Sequence, residues 1–187
     1  MGLTIQAAIT FVAVLPVLAS GQTKSAQSIP TTVCEVVKSP ASFSGKIITL
    51  RAPIQIAFEN FRISADDCTE KKIDYLWLEY GSGPKSQPTS WCCGDMVPRD
   101  SLALVQNPEF RRFHHYLTAV RKAKACYDCY LYHVTATLTG RFDAVEPQPR
   151  ALCGFGHLGA ACGRLVIQTV ADVVADPVDP STLGKKK

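Results

Sequence analysis

Phe43-Ser44-Gly45-Lys46-Ile47-Ile48-Thr49-Leu50-Arg51-Ala52-Pro53-Ile54-Gln55-Ile56-Ala57-Phe58-Glu59-Asn60-Phe61-Arg62-Ile63 is the stretch on which the fold turns. From Ile48 to Phe58 every even position is apolar: Ile48, Leu50, Ala52, Ile54, Ile56 and Phe58. Thr49, Arg51, Pro53, Gln55, Ala57 and Glu59 stand opposite. Period-two alternation over so long a run marks a strand with one buried face. At Glu59-Asn60 the phase slips, and Phe61 and Ile63 carry the apolar face on odd positions. A turn there, followed by a second strand from about Phe61 to Ala65, accounts for the slip. The stretch reads as the first hairpin of a small, strongly curved sheet.

Working outward, Tyr75-Leu76-Trp77-Leu78-Glu79-Tyr80 is a third strand, apolar on both sides and therefore covered twice near Trp77. Asn107-Pro108-Glu109 opens a helix with a cap residue and a proline at the first position. Phe110, Phe113, Leu117 and Val120 give it one apolar stripe, which belongs to the core. The fourth strand alternates again, with Tyr130, Tyr132, Val134, Ala136, Leu138 and Phe142 on one side. Gly140 interrupts it as a bend or bulge. Leu165 to Val170, extending toward Val174, is the fifth strand. On the N-terminal side, Thr32 with Glu35 three residues on forms a capping box for a short helix that ends before Pro40, in a Ser39-Pro40-Ala41 turn. The fold class is mainly β. Three strands, a helix and two strands predict a five-stranded OB-like barrel, with one helix between strands three and four and a short N-terminal helix.

The chain has 187 residues, enough for one domain with a core, and a net charge of +4 spread along its length. That charge does not point to nucleic acid. Residues 1–21 read as a signal peptide: Ala7 to Ala19 is almost wholly apolar, and Ala19, Ser20 and Gly21 suit a cleavage site. No Lys or Arg precedes Lys24, which fits either a start codon placed too late or an uncleaved anchor. Residues 22–31 read as a polar linker, 32–176 as the OB-like domain and 177–187 as a polar tail. The expected location is periplasmic or secreted, with no stable membrane span once the signal is cleaved.

All eight cysteines follow the signal: Cys34, Cys68, Cys92, Cys93, Cys126, Cys129, Cys153 and Cys162. An even number in an exported chain favours disulfides, though spacing does not choose among the pairings. Cys126-Tyr127-Asp128-Cys129 has the spacing of a redox motif, but it follows a helix rather than opening one, where the helix dipole disfavours a thiolate. A zinc site would draw on Cys126, Cys129, Cys153 and Cys162, although the second pair is spaced too widely for a knuckle. Cys153 and Cys162 more simply staple a glycine-rich loop.

Of the four histidines, His114 borders the helical stripe, His115 lies on its polar side and His133 sits on the polar face of strand four. His157, with Phe155 in the same glycine-rich loop, is the candidate ligand contact. No Gly-x-Ser-x-Gly, His-Glu-x-x-His or phosphate-cradling loop occurs, so no catalytic residue and no cofactor are assigned.

Three segments resemble an uncharacterised exported bacterial family with an OB-fold-like domain. These are Phe43-Ser44-Gly45-Lys46, Phe58-Glu59-Asn60-Phe61, and Gly154-Phe155-Gly156-His157-Leu158-Gly159 with Leu165-Val166-Ile167-Gln168. The resemblance spans about residues 33–174 and implies a scaffold without implying an activity. The expectation is a non-enzymatic, disulfide-stapled domain with a binding or envelope-associated structural role, its partner an unknown small molecule or envelope protein; a ligand is expected on the outer face of strands one to three, near the Tyr80 to Cys93 loop. The alternatives are a thiol-disulfide oxidoreductase using Cys126 and Cys129, or a zinc-binding domain.

Overall fold

The computed structural model describes residues 27–57, 59–82, 102–119, 130–147 and 152–179. In chain order the elements are β1 (Ile29–Pro30), α1 (Val33–Lys38), α2 (Pro40–Phe43), β2 (Lys46–Ala57), β3 (Asn60–Ser64), β4 (Tyr75–Tyr80), α3 (Pro108–Thr118), β5 (Tyr132–Ala144) and β6 (Gly163–Pro177). A 3-10 turn covers His157–Gly159. The expected signal at 1–21, Phe58, the Cys92-Cys93 loop, Val120, the Cys126-Tyr127-Asp128-Cys129 motif and the end of the tail lie outside the described residues.

The alternating stretch is β2, and Ile48, Leu50, Ala52 and Ile54 are buried on one side of it. Each fully buried Ile or Leu contributes roughly 1.5–3 kcal/mol relative to an exposed one. β2 is long enough to serve two partners. Its first nine residues pair antiparallel with β5, from Lys46 opposite Phe142 to Ile54 opposite Val134. Its last three pair with β3, from Gln55 opposite Arg62 to Ala57 opposite Asn60. Ala57 opposite Asn60 leaves a two-residue turn, and Glu59 takes the positive φ of +59° that such a turn demands. This is the phase slip seen in the sequence.

The protein is mainly β, with a six-stranded sheet and few helices. β2 pairs with β3, β3 with β4, β4 with β6, β6 with β5, and β5 again with β2. Five strands therefore have partners on both edges, and only β4 with β6 runs parallel among them. The sixth strand departs from expectation. Ile29–Pro30, within the segment read as a linker, lies parallel to Ile48 and Thr49, and Thr31 N donates to Thr49 O at 2.9 Å. It pairs with Ile48 and Thr49, in the part of β2 that β3 does not reach.

β6 is longer than the sequence suggests and bends twice. Its register against β5 slips by one residue between Thr139 and Gly140, and again between Thr135 and Thr137, where Asp172 has a φ of +48°. Both extra residues lie on β6, so the irregularity expected at Gly140 falls on the strand opposite. Gly140 has a different role: a Cβ there would stand 2.1 Å from Val166 O.

Outside the sheet, the capping box of α1 is formed. Glu35 N donates to Thr32 Oγ1 at 3.2 Å, and Thr32 N donates to Glu35 Oε2 at 2.9 Å. Ser39-Pro40-Ala41, read as a turn, instead starts α2, because proline suits the first position of a helix. The Cys34–Cys68 disulfide ties α1 to the β3–β4 connection. At α3, Phe110 N donates to the Asn107 cap at 2.7 Å, and Phe110, Phe113 and Leu117 are buried in the core.

Candidate functional site

Alternation along β4 sends Leu76 and Leu78 into the main core and Trp77 to the opposite face. An exposed tryptophan would be unusual there, and Trp77 is only 6% exposed. Its cover is the glycine-rich segment between β5 and β6, which the Cys153–Cys162 disulfide closes into a loop. Phe155 and Ala161 pack with Trp77 in a small second cluster, separate from the main core. Glycine is required at 156, where φ is +69° and a Cβ would stand 2.5 Å from Trp77 Cδ2. The loop backbone thus lies directly against the indole.

Beside Trp77 is Arg164, its register partner on β6, only 2% exposed. Its guanidinium donates from Nη1 to Glu79 Oε2 at 2.9 Å and from Nη2 to Asp143 Oδ2 at 2.8 Å. Arg141 grips the same Asp143 through Nε and Nη2, at 2.7 and 2.8 Å. Two guanidiniums and two carboxylates balance, which is how four charges are tolerated under cover. Phe155 roofs the group, with the Arg164 guanidinium 4.8 Å from its ring centroid. Arg164 Nε and His157 Nδ1 are both buried without a hydrogen-bond partner.

The two loops flanking this face touch. His157 Nε2 lies 3.4 Å from Glu59 Oε2 on the β2–β3 turn. Next to them, Arg62 donates from Nε to Gln55 Oε1 at 2.9 Å and places its guanidinium 5.1 Å from the Tyr75 ring centroid. Burial pushes the Tyr75 phenol above its ordinary value, with the Arg62 charge opposing. The arrangement offers aromatic faces, hydrogen-bond donors and acceptors, and no net charge in its buried part. Elsewhere, a depression of about 440 Å³ lies between α2 and the chain after β5; Lys72 and Glu146 are its charged lining residues.

Of the residues singled out in the sequence, Phe155 is buried over Arg164 rather than presented outward, and His157 is fastened to Glu59. Cys34 pairs with Cys68, and Cys153 with Cys162; Cys92, Cys93, Cys126 and Cys129 lie outside the described residues. The four-thiolate zinc alternative therefore loses Cys153 and Cys162, whose sulfurs are bonded to each other. The histidines do not converge: His114 faces Tyr80, His115 packs on Tyr116, and His133 is exposed opposite Asp176. No group of three or more His, Cys, Asp or Glu side chains among the described residues could hold a metal.

Sequence reasoning missed Arg164, Glu79 and Asp143. A signal was present in one of them. Glu79 is the lone charge in a strand otherwise apolar on both faces, and such a charge needs a partner. In comparison with known proteins, no family model, no curated protein and no solved structure matches the chain.

Proposed function

We propose that the chain is an exported, non-enzymatic, OB-like barrel domain that binds a small molecule or an envelope component. The closed circuit of strand pairings supports this reading, since the order β2-β3-β4-β6-β5-β2 with one parallel pair is that of a five-stranded OB barrel. The resemblance of the Phe43, Phe58 and Gly154 segments to exported OB-like domains points the same way. Two disulfides are consistent with an oxidising, non-cytoplasmic compartment. Among the described residues no helix is long and apolar enough to cross a membrane. The observation that carries the binding role is the meeting of the β2–β3 turn and the β5–β6 loop at Glu59 and His157. OB folds take their ligands on the sheet face between those two loops.

The test starts from protein exported with its own N-terminus. The expected product lacks residues 1–21, has no titratable thiol among its eight cysteines, carries no zinc and does not reduce insulin. Two reactive thiols with insulin reduction would overturn the reading in favour of an oxidoreductase, and stoichiometric zinc would overturn it in favour of a metal site. Binding is read by thermal shift against oligosaccharides and envelope extracts. Arg62→Ala is expected to diminish any shift, because Arg62 edges the face.

A further inference from the structure

The cover over Trp77 is built unlike the rest of the fold. Its backbone hydrogen bonds stay within itself: Gly154 N to Gly159 O at 2.8 Å, and Phe155 and Ala161 with each other at 3.2 and 2.9 Å. Only at its base does it join the chain beside it, where Val145 N donates to Cys162 O at 2.9 Å. Among the described residues no backbone bond ties Gly154 to Ala161 to the sheet beneath. The Cys153–Cys162 bond makes the segment one closed unit. It is held down by the Phe155 and Ala161 contacts with Trp77, by Phe155 over Arg164 and by His157 beside Glu59. Lifting it breaks no strand pairing.

The fit beneath it is also incomplete. Arg164, 2% exposed, keeps Nε without a partner, and His157 Nδ1 is likewise unpaired. A buried polar group left unmade is costly, and native structures usually find it a partner. We infer that the Cys153–Cys162 loop is a lid occupying, in the free protein, a platform for the ring of a neutral saccharide. The inference deepens the binding reading above and rests on it.

The chemistry of the platform selects the ligand class. Trp77 offers the flat apolar face on which a sugar ring stacks. Glu79 and Asp143 accept hydroxyl hydrogens, and the unpaired Arg164 Nε supplies a donor. A phosphate-bearing ligand finds no net attraction, because Arg141 and Arg164 are already balanced by Asp143 and Glu79. Phe155 and Gly156 stand in for the sugar ring: one covers the guanidinium and the other lies on the indole. The ligand must displace them, so the closed lid weakens apparent affinity by the fraction of time it is shut.

The test uses the full exported chain with Trp91→Phe, leaving Trp77 as the only tryptophan. Gly156→Ala drives a methyl group into the indole and is expected to raise the lid. Phe155→Ala loosens the same contact without altering a left-handed residue, and serves if the first variant folds poorly. Both are expected to increase acrylamide quenching of Trp77 at unchanged far-ultraviolet circular dichroism. Chitotetraose and cellotetraose are the probes. Either should bind about tenfold more tightly to the open variants, the gain when a competent state rises from roughly a tenth of the population to nearly all.

Unchanged quenching in both variants overturns the lid. Increased quenching with no gain in saccharide affinity overturns the platform, as does equal binding by Trp77→Ala. Saccharide binding lost in Arg62→Ala yet kept in Trp77→Ala would reject this inference and leave the binding-domain reading standing. Reduction of insulin by the unmodified chain would reject that reading itself.

Discussion

At the scale of single residues, His114 shows how burial becomes a dependence on pH. Its ring stacks on Phe110 at 5.9 Å, and its Nδ1 lies 3.4 Å from the Tyr80 hydroxyl. Burial lowers its pKa below the ordinary 6.5 and pushes the Tyr80 phenol far up, so the contact is between neutral groups. The unfolded chain then binds more protons than the folded one between the lowered value and 6.5, and stability falls as pH drops through that window. Wild type is expected to lose urea resistance from about pH 7 to pH 5, and His114→Gln to lose less over the same range, where carboxylates in both proteins stay ionised. Parallel curves would assign the acid sensitivity elsewhere. Arg164 illustrates a different case, a buried guanidinium that donates to two carboxylates at 2.8 and 2.9 Å.

Among the elements, β5 and β6 explain how the sheet bends so tightly. The β6 backbone passes over Gly140 so closely that Val166 O occupies the space of a side chain. Gly140→Ala must push the strands apart or tilt one of them, at a cost of about 1–3 kcal/mol. Urea unfolding of the variant measures it, and a loss under about half the lower bound would mean the strands can yield. The buried faces of β2 and β5 were legible because one-sided burial writes itself as period two, and Asn107-Pro108 announced the start of α3. What alternation does not encode is which strand lies alongside. The β6 bulges fall at ordinary residues, and α2 hides behind a proline that also reads as a turn. Arg164 and Glu79 meet across 85 positions, and no local pattern carries that distance. The lid was visible as a glycine-rich, cysteine-bounded loop, but the surface it covers was not.

For the molecule as a whole, the two disulfides among the described residues act on different parts of the folding problem. Cys153–Cys162 spans 9 positions and closes only its own loop, whereas Cys34–Cys68 spans 34 and holds α1, β2 and β3 within one ring. In the chain-entropy account, constraint of the unfolded chain grows with the logarithm of ring size, giving roughly 2.5 kcal/mol for the short ring and nearly 4 kcal/mol for the long one. Cys34→Ser with Cys68→Ser also frees α1, whose Val36 and Val37 are fully buried and whose Val37 carbonyl accepts from Lys72 N at 2.9 Å. Those contacts persist without the sulfur bridge, so the helix stays docked and the penalty is mainly entropic. The double variant is therefore expected to keep the native circular dichroism spectrum and to unfold at lower urea, with a larger loss than Cys153→Ser with Cys162→Ser. The opposite ranking would mean that the lid, through Trp77 and Arg164, stabilises the sheet more than the long ring does, and that it seldom lifts.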